Sequence, residues 1–327
     1  MTTNFDPTEG RKLGTTGLSV TRLSMGCGPL GQMFDLVPDE QAVATVEEAY
    51  EQGIRYFDTA PLYGVGIAER RAGAALRTKP RDEFVFSTKV GRLLVPANKP
   101  PSRGLPKLAV ETDFSRDGVL RSLEASLQRT GLDRVDILHV HDPDDHMETA
   151  LDETLPTLCE LRDQGVIRAV SAGMNFAAPL ARLVREADVD SVLLAGRYTL
   201  LDQSALDELL PLCAERNVGF IAAGVINSGI LADPRDGAPF FYRPAPPELV
   251  AKAQAMQKVC TRHGVALVDA ALQFPFGHPA VTTVLIGSRS PDEIRRNVAS
   301  VRVPISDDVW AELRTEGLLG DDVPVPG

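Results

Sequence analysis

Short runs of apolar, often β-branched residues alternate along this chain with longer stretches of helical period. Runs at 23–27, 54–58, 84–89, 135–141, 167–172, 191–195, 218–222 and 281–287 predict eight strands. Helical stretches fall between them. Asp39 is placed to cap a helix carrying Val43, Val46 and Tyr50 on one face, with Gly53 closing it. Ser115 opens another, with Leu120, Leu123 and Leu127 as its apolar stripe and Gly131 at its end. Ser290-Pro291-Asp292-Glu293 has the form of an N-cap, a proline in the first turn and a capping-box glutamate. Pro246-Pro247 precedes a long helical stretch that ends near Gly264.

Strands that each hand over to a helix cannot pair as hairpins. They need right-handed crossovers and a parallel sheet, and eight such units close into a (β/α)8 TIM barrel. The competing arrangement, a doubly wound open sheet, is disfavoured because no GxGxxG follows the first strand. Residues 11–20 read as a hairpin with a glycine turn, placed to plug the bottom of the barrel. Two connections, 92–114 and 224–247, are long and rich in proline and glycine, and the second holds Phe240-Phe241-Tyr242. Each follows a strand, so each belongs at the C-terminal face, and both read as functional loops without regular structure. No linker, internal repeat or low-complexity tract divides residues 1–327, which read as one domain.

Composition narrows the function. The chain has 327 residues, of which 43% are hydrophobic and 24% charged, and its formal net charge is −11. An acidic surface repels phosphate backbones and anionic lipid, so nucleic acid and membranes are poor partners. The first residues lack the basic and apolar segments of a signal peptide, and no apolar run approaches the ~20 residues needed to span a bilayer. Cys27, Cys159, Cys213 and Cys260 form no CxxC pair and read as reduced, cytoplasmic thiols.

Candidate chemistry lies at the strand ends. The second predicted strand ends in Asp58, with Tyr63 five residues on, the third in Lys89 and the fourth in His141. In a barrel these four converge on one mouth. A phenol titrates near 10, too high for a base at neutral pH, and an adjacent ammonium favours its ionised form. The carboxylate neutralises and orients the lysine, and the imidazole completes the proton relay or orients a substrate oxygen. Such a group suits proton movement in a C–OH/C=O couple, which also needs a bound hydride carrier.

The motifs around these residues resemble the aldo-keto reductase family. They are Leu13-Gly14-Thr15-Thr16-Gly17-Leu18-Ser19-Val20, Phe57-Asp58-Thr59-Ala60-Pro61-Leu62-Tyr63-Gly64 with Glu69, and Ser87-Thr88-Lys89. Further on stand Asp136-Ile137-Leu138-His139-Val140-His141, Gly165-Val166-Ile167-Arg168-Ala169 with Asn175-Phe176, and Ile286-Gly287-Ser288 with Asn297. The resemblance implies a catalytic tetrad of Asp58, Tyr63, Lys89 and His141, and NAD(P) held in extended form at the mouth. His141, five residues after Asp136, takes the catalytic position, and His139 lies one strand repeat deeper and reads as structural. The same resemblance assigns Asn175 to the nicotinamide carboxamide and Ser228, Gly229 and Leu231 to the loop over the pyrophosphate. Ser288, Arg289, Glu293 and Asn297 go to the adenosine end. There are departures from the family pattern. Met174 precedes Asn175, Arg197-Tyr198 stand where a glutamine is usual, and Ala222-Ala223-Gly224-Val225 replace a stretch that usually carries an aromatic stacked on the nicotinamide.

Glu293 would repel a 2′-phosphate, so NAD is expected to be preferred, with NADP possible through Arg289. The stretches around His139, Arg197 and Asn227 resemble a bacterial branch of L-fucose, D-threo-aldose and L-galactose dehydrogenases and pyridoxal 4-dehydrogenase. The expected reaction is oxidation of the anomeric hydroxyl of an aldose to a lactone, with His139, Asp142, Arg197 and Tyr198 offering polar contacts to the sugar. Pyridoxal oxidation and NADPH-linked aldehyde reduction are the alternatives. A non-catalytic nicotinamide-binding subunit is a further one. So is a metal-dependent hydrolase using His139-x-His141-Asp142, which no second histidine cluster supports. The sequence leaves the oligomeric state open.

Overall fold

The computed structural model describes residues 2–327 apart from 33, 34, 103 and 242. Eight parallel strands close into a barrel in sequence order: β1 (Leu23–Gly26), β2 (Tyr56–Asp58), β3 (Val85–Val90), β4 (Ile137–His141), β5 (Ala169–Met174), β6 (Ser191–Ala195), β7 (Gly219–Ala223) and β8 (Val281–Gly287). These are the eight runs read from the sequence. The surrounding helices include α1 (Asp39–Glu51), α2 (Ile67–Leu76), α3 (Arg116–Thr130), α4 (Leu155–Asp163), α5 (Ala177–Glu186), α6 (Leu209–Arg216), α7 (Pro247–Arg262) and α8 (Pro291–Val301).

The capping residues act locally, with two corrections. Ser115 accepts from the Gly118 amide and Gly131 closes α3 in the left-handed conformation. Ser290 accepts from the Glu293 amide, whereas the Glu293 carboxylate reaches the Arg289 amide rather than closing a box on Ser290. Pro38, not Asp39, occupies the cap position of α1, because Asp39 sits in the first turn and pairs with Arg71. On α3 the buried stripe runs through Val119, Ser122, Leu123 and Ser126, which leaves Leu120 exposed.

The strands' outward sides pack on the helices, and their inward sides form a second cluster. Leu13, Leu18 and Val20, from the hairpin Gly10–Lys12 with Ser19–Thr21, join Tyr56, Val85, Ile137, Ala169, Leu193 and Ile221 inside the barrel. Gly14, with φ +52°, packs on backbone atoms of Asp190, Asn217 and Gly219, so the hairpin sits beneath the N-terminal ends of β6 and β7. With the floor closed, the open end is the C-terminal face.

Both long connections carry more order than proline and glycine content suggests. Arg92–Pro96 pairs antiparallel with Leu108–Thr112 over five residues on each arm, which confines the Pro/Gly-rich stretch to the tip of the ribbon. In the second connection Pro239–Phe240 pairs with Arg243–Pro244, and Asn227–Gly229 forms a 3-10 turn. Tyr242, in the aromatic triplet of that loop, lies outside the described residues.

Candidate active site

Period two puts alternate strand residues on the inward side. On three neighbouring strands this yields polar pairs: Tyr56 and Asp58 on β2, Ser87 and Lys89 on β3, His139 and His141 on β4. Two polar layers result, one at the mouth and one beneath it.

The upper layer is built on an ion pair. Lys89 Nζ donates to Asp58 Oδ1 at 2.7 Å and Oδ2 at 2.6 Å, and to the Thr59 carbonyl at 2.9 Å. Lys89 is 1% exposed and Asp58 2%. Lys89 has all three protons used, which is the condition for keeping a buried ammonium. Tyr63 lies over the pair, half-buried, with Nζ 5.2 Å from its ring centroid. His141 meets the same ring edge-on, centroids 5.8 Å apart at 87°. Burial, and then the charges of Lys89 and Arg92, push the His141 imidazole well below its ordinary value, so it is neutral at physiological pH.

Tyr63 owes its place to close backbone packing. Gly64 has φ +62°, and a Cβ there would lie 2.4 Å from the Gly31 carbonyl oxygen. A Cβ on Gly31 would lie 2.5 Å from the Tyr63 carbonyl carbon. The loop after β1 and the loop after β2 therefore touch main chain to main chain, which only glycine permits. Arg71 of α2 ties the β1 loop down by donating to the carbonyls of Leu30 and Val37 and to the Asp39 carboxylate. Glu69, fully buried on α2, accepts from Thr88 beside Lys89 at 2.8 Å and pairs with Arg129 of α3.

The structure thus brings Asp58, Tyr63, Lys89 and His141 together. The residues put forward for a sugar divide. Asp142 stands beside His141, Oδ2 to Nε2 at 3.7 Å, and accepts from Asn175 Nδ2 at 3.3 Å. Burial and then Asp144 raise the Asp142 carboxyl to about 6. Arg197 is stacked at the rim, 4.2 Å from the Phe241 centroid and 5.3 Å from that of Phe176. It donates to the Asn175 carbonyl at 3.1 Å and to Asp202 at 2.8 Å. A cleft of about 390 Å³ opens beside it, lined by Phe176, Ser204 and Asp207 among others and by none of the four tetrad residues. His139 and Tyr198 are corrected. His139 is fully buried beneath Asp58, its Nε2 held among Asp58 and Tyr56. Tyr198 is 2% exposed and packs on Phe220, Phe274 and His278.

The expected cofactor positions also lie at strand ends. Asn175 follows β5. Ser228 and Gly229 follow β7 in a strained segment where Asn227, Ser228 and Gly229 have φ of 47°, 60° and 112°. Such strain is kept at ligand clamps, and the buried Asn227 Oδ1 has no partner among the described residues. The Leu231 side chain is fully buried and anchors that loop from below. After β8, Asn297 donates to the buried Ser288 hydroxyl at 3.0 Å, and Arg289 pairs with Glu293 at 2.8 Å and with Asp35. These loops and their polar atoms fit a long dinucleotide.

Sequence reasoning singled out the mouth layer but missed Tyr56, Ser87 and Arg71. The first two were detectable, since each stands two residues before a tetrad member on the same strand face. Arg71 left no signal, because two of its partners are backbone carbonyls of a loop and the third, Asp39, stands 32 residues away with no pattern linking the two.

The chain has relatives among known proteins. The sequence profile of the Aldo/keto reductase family matches residues 22–315. The chain is 41% identical to D-threo-aldose 1-dehydrogenase from Pseudomonas sp over 315 residues, covering 93% of this chain and 96% of that protein. It is 42% identical to pyridoxal 4-dehydrogenase from Microbacterium luteolum over 338 residues, 95% of this chain and 98% of the other. Identity to L-galactose dehydrogenase from Arabidopsis thaliana is 35% over 300 residues, 90% and 88% of the two chains. Among solved structures, the holo form of an aldo-keto reductase from Bacillus halodurans superposes with a TM-score of 0.75 at 25% identity, covering 97% of this chain and 98% of that one. The chain belongs to the aldo/keto reductase family, a (β/α)8 oxidoreductase that works with a nicotinamide cofactor.

Proposed function

We propose that the protein oxidises the anomeric hydroxyl of an aldose, in its cyclic hemiacetal form, to a lactone, with NAD as preferred cofactor. The observation that carries this reading is the phenol of Tyr63 seated over the Lys89–Asp58 pair at the open end of the barrel. Tyr63 acts as general base and takes the proton of the anomeric hydroxyl. Lys89 stabilises the phenolate, and Asp58 holds Lys89 in place. His141, neutral and edge-on to Tyr63, orients the substrate oxygen. A bound nicotinamide would supply the acceptor for the hydride that leaves the substrate carbon. Asn175, Ser228, Gly229, Leu231, Ser288, Arg289, Glu293 and Asn297 are the residues proposed to hold the dinucleotide. Asp142 and Arg197 remain the candidates for contact with sugar hydroxyls.

The preference for NAD rests on charge. The Arg289 guanidinium already faces the carboxylates of Asp35 and Glu293. A 2′-phosphate would have to displace them and would meet their repulsion.

Pyridoxal also exists as a hemiacetal, and the identity to a pyridoxal 4-dehydrogenase makes it the second reading. A screen of L-fucose, D-arabinose, L- and D-galactose and pyridoxal with NAD and NADP, followed by the absorbance of reduced nicotinamide, decides. The expected result is aldose turnover with kcat/KM at least about tenfold higher for NAD, a difference of about 1.4 kcal/mol. Turnover of pyridoxal alone selects the second reading. Reduction of simple aldehydes with NADPH and no oxidation from this set replaces both with a general carbonyl reductase.

A further inference from the structure

Beneath the tetrad lies a buried polar chain that the proposed reaction does not use directly. Ser87 Oγ donates to Asp58 Oδ1 at 2.7 Å. The Tyr56 hydroxyl lies 3.1 Å from Ser87 Oγ, and His139 Nε2 lies 3.4 Å from the Tyr56 hydroxyl. His139 Nε2 is also 3.5 Å from Asp58 Oδ1. His139 Nδ1 has no partner among the described residues. All three residues are fully buried.

The direction of the chain follows from its end. Ionised Asp58 only accepts, so Ser87 must donate to it. The Ser87 oxygen is then free to accept from Tyr56, and the Tyr56 oxygen to accept from His139. That places the imidazole proton on Nε2 and leaves a lone pair, rather than an N–H, without a partner at Nδ1. A buried donor without an acceptor is the rarer arrangement. Aligned donors polarise one another, and all of them end on one carboxylate oxygen.

We propose that His139, acting through Tyr56 and Ser87, is a positioning residue that holds the Asp58–Lys89 pair in its charged form. A buried carboxylate and ammonium can relieve their desolvation by moving a proton between them. Donors aimed at the carboxylate oppose that transfer and so keep Lys89 an ammonium beneath Tyr63. The groups around Asp58 are Lys89 and Ser87 from β3, His139 from β4, Tyr56 on β2 itself and Cys27 just after β1. Burial, and then Lys89 and His141, hold His139 well below the usual imidazole range, so it serves as a neutral donor. On its β5 side Ser171 pairs in register, with its hydroxyl turned to the Ser191 carbonyl.

The inference rests on the reading of Tyr63 as the acid/base group, and one experiment separates the two. The chain has 5 tyrosines, so a 13Cζ-tyrosine NMR titration, with Tyr63→Phe to assign the signal, reads the phenol itself. The wild-type Tyr63 signal is expected to titrate below the ordinary phenol value. In Ser87→Ala, Tyr56→Phe and His139→Phe the midpoint is expected to rise by about one unit, and the rising limb of kcat against pH to move with it. Combining Tyr56→Phe with His139→Phe should add little to either alone, because both break one chain. His139→Gln, which restores a donor, should return the midpoint towards wild type even if the phenylalanine variant folds poorly. Equal Tyr63 midpoints in wild type and all these variants overturn the role of His139. A wild-type midpoint at the ordinary value overturns the reading of Tyr63 instead.

Discussion

Lys89 and Asp58 form a buried ion pair in which each charge depends on the other. Removing one partner of a buried pair leaves an unpaired charge, a cost of about 3–5 kcal/mol. A substitution there damages the fold and the chemistry together. Asp142 offers a cleaner residue-scale test. Burial raises its carboxyl from 3.8 to about 6. Below the unfolded value the group is protonated in both states and costs nothing. As pH rises towards 6 the unfolded chain ionises first, and the folded state loses stability relative to it, by on the order of 2–3 kcal/mol once both are ionised. Asp142→Asn removes this penalty. Asparagine also suits the left-handed backbone, φ +44°, at that position. In urea unfolding the variant is expected to gain little at about pH 4 and progressively more up to about pH 7. A gain that does not change with pH would mean that only backbone conformation is at work.

At the scale of elements, the site depends on how the loops after β1 and β2 meet. Gly31 and the Tyr63–Gly64 peptide are in main-chain contact. Gly31→Ala is therefore expected to push the Tyr63 loop outward and destabilise the fold by about 1–3 kcal/mol. It should lower kcat more than it changes KM for the sugar, because the phenol moves while the rim residues stay. Unchanged kcat in a folded variant would show that the Tyr63 loop is positioned from elsewhere. This contact is also where sequence reading stops. Phe57-Asp58-Thr59-Ala60-Pro61-Leu62-Tyr63-Gly64 places the tetrad members on a strand end and its loop, but the partner of Gly64 lies 33 residues upstream with no pattern linking the two. The ribbon Arg92–Pro96 with Leu108–Thr112 was hidden differently. Its strands alternate weakly, and the intervening proline and glycine dominate the composition.

For the whole molecule, the barrel was legible because every strand carries an apolar run and every crossover a helical period. Parallel pairing and closure then leave one architecture. The hairpin that closes the floor was legible too, through its glycine turn and the apolar Leu13, Leu18 and Val20. The upper polar layer could be read because charges at strand ends are costly unless they converge. The period of two put His139 one strand repeat below the mouth, where it lies, so its structural reading fits its burial and the expected contact with a sugar does not. Tyr198 was misplaced because residue type alone does not tell a mouth position from a ring on the helix side of the barrel, a distinction that depends on which side chains pack behind it and is not written locally.

The proposed reaction needs Tyr63 to move the proton at a mouth that binds nicotinamide independently of that proton. Kinetics of Tyr63→Phe, together with titration of reduced-cofactor fluorescence, test this directly. The expected result is a loss of at least about 10²-fold in kcat for aldose oxidation, with cofactor affinity and thermal unfolding close to wild type. A variant that binds the cofactor and turns over at the wild-type rate would contradict it.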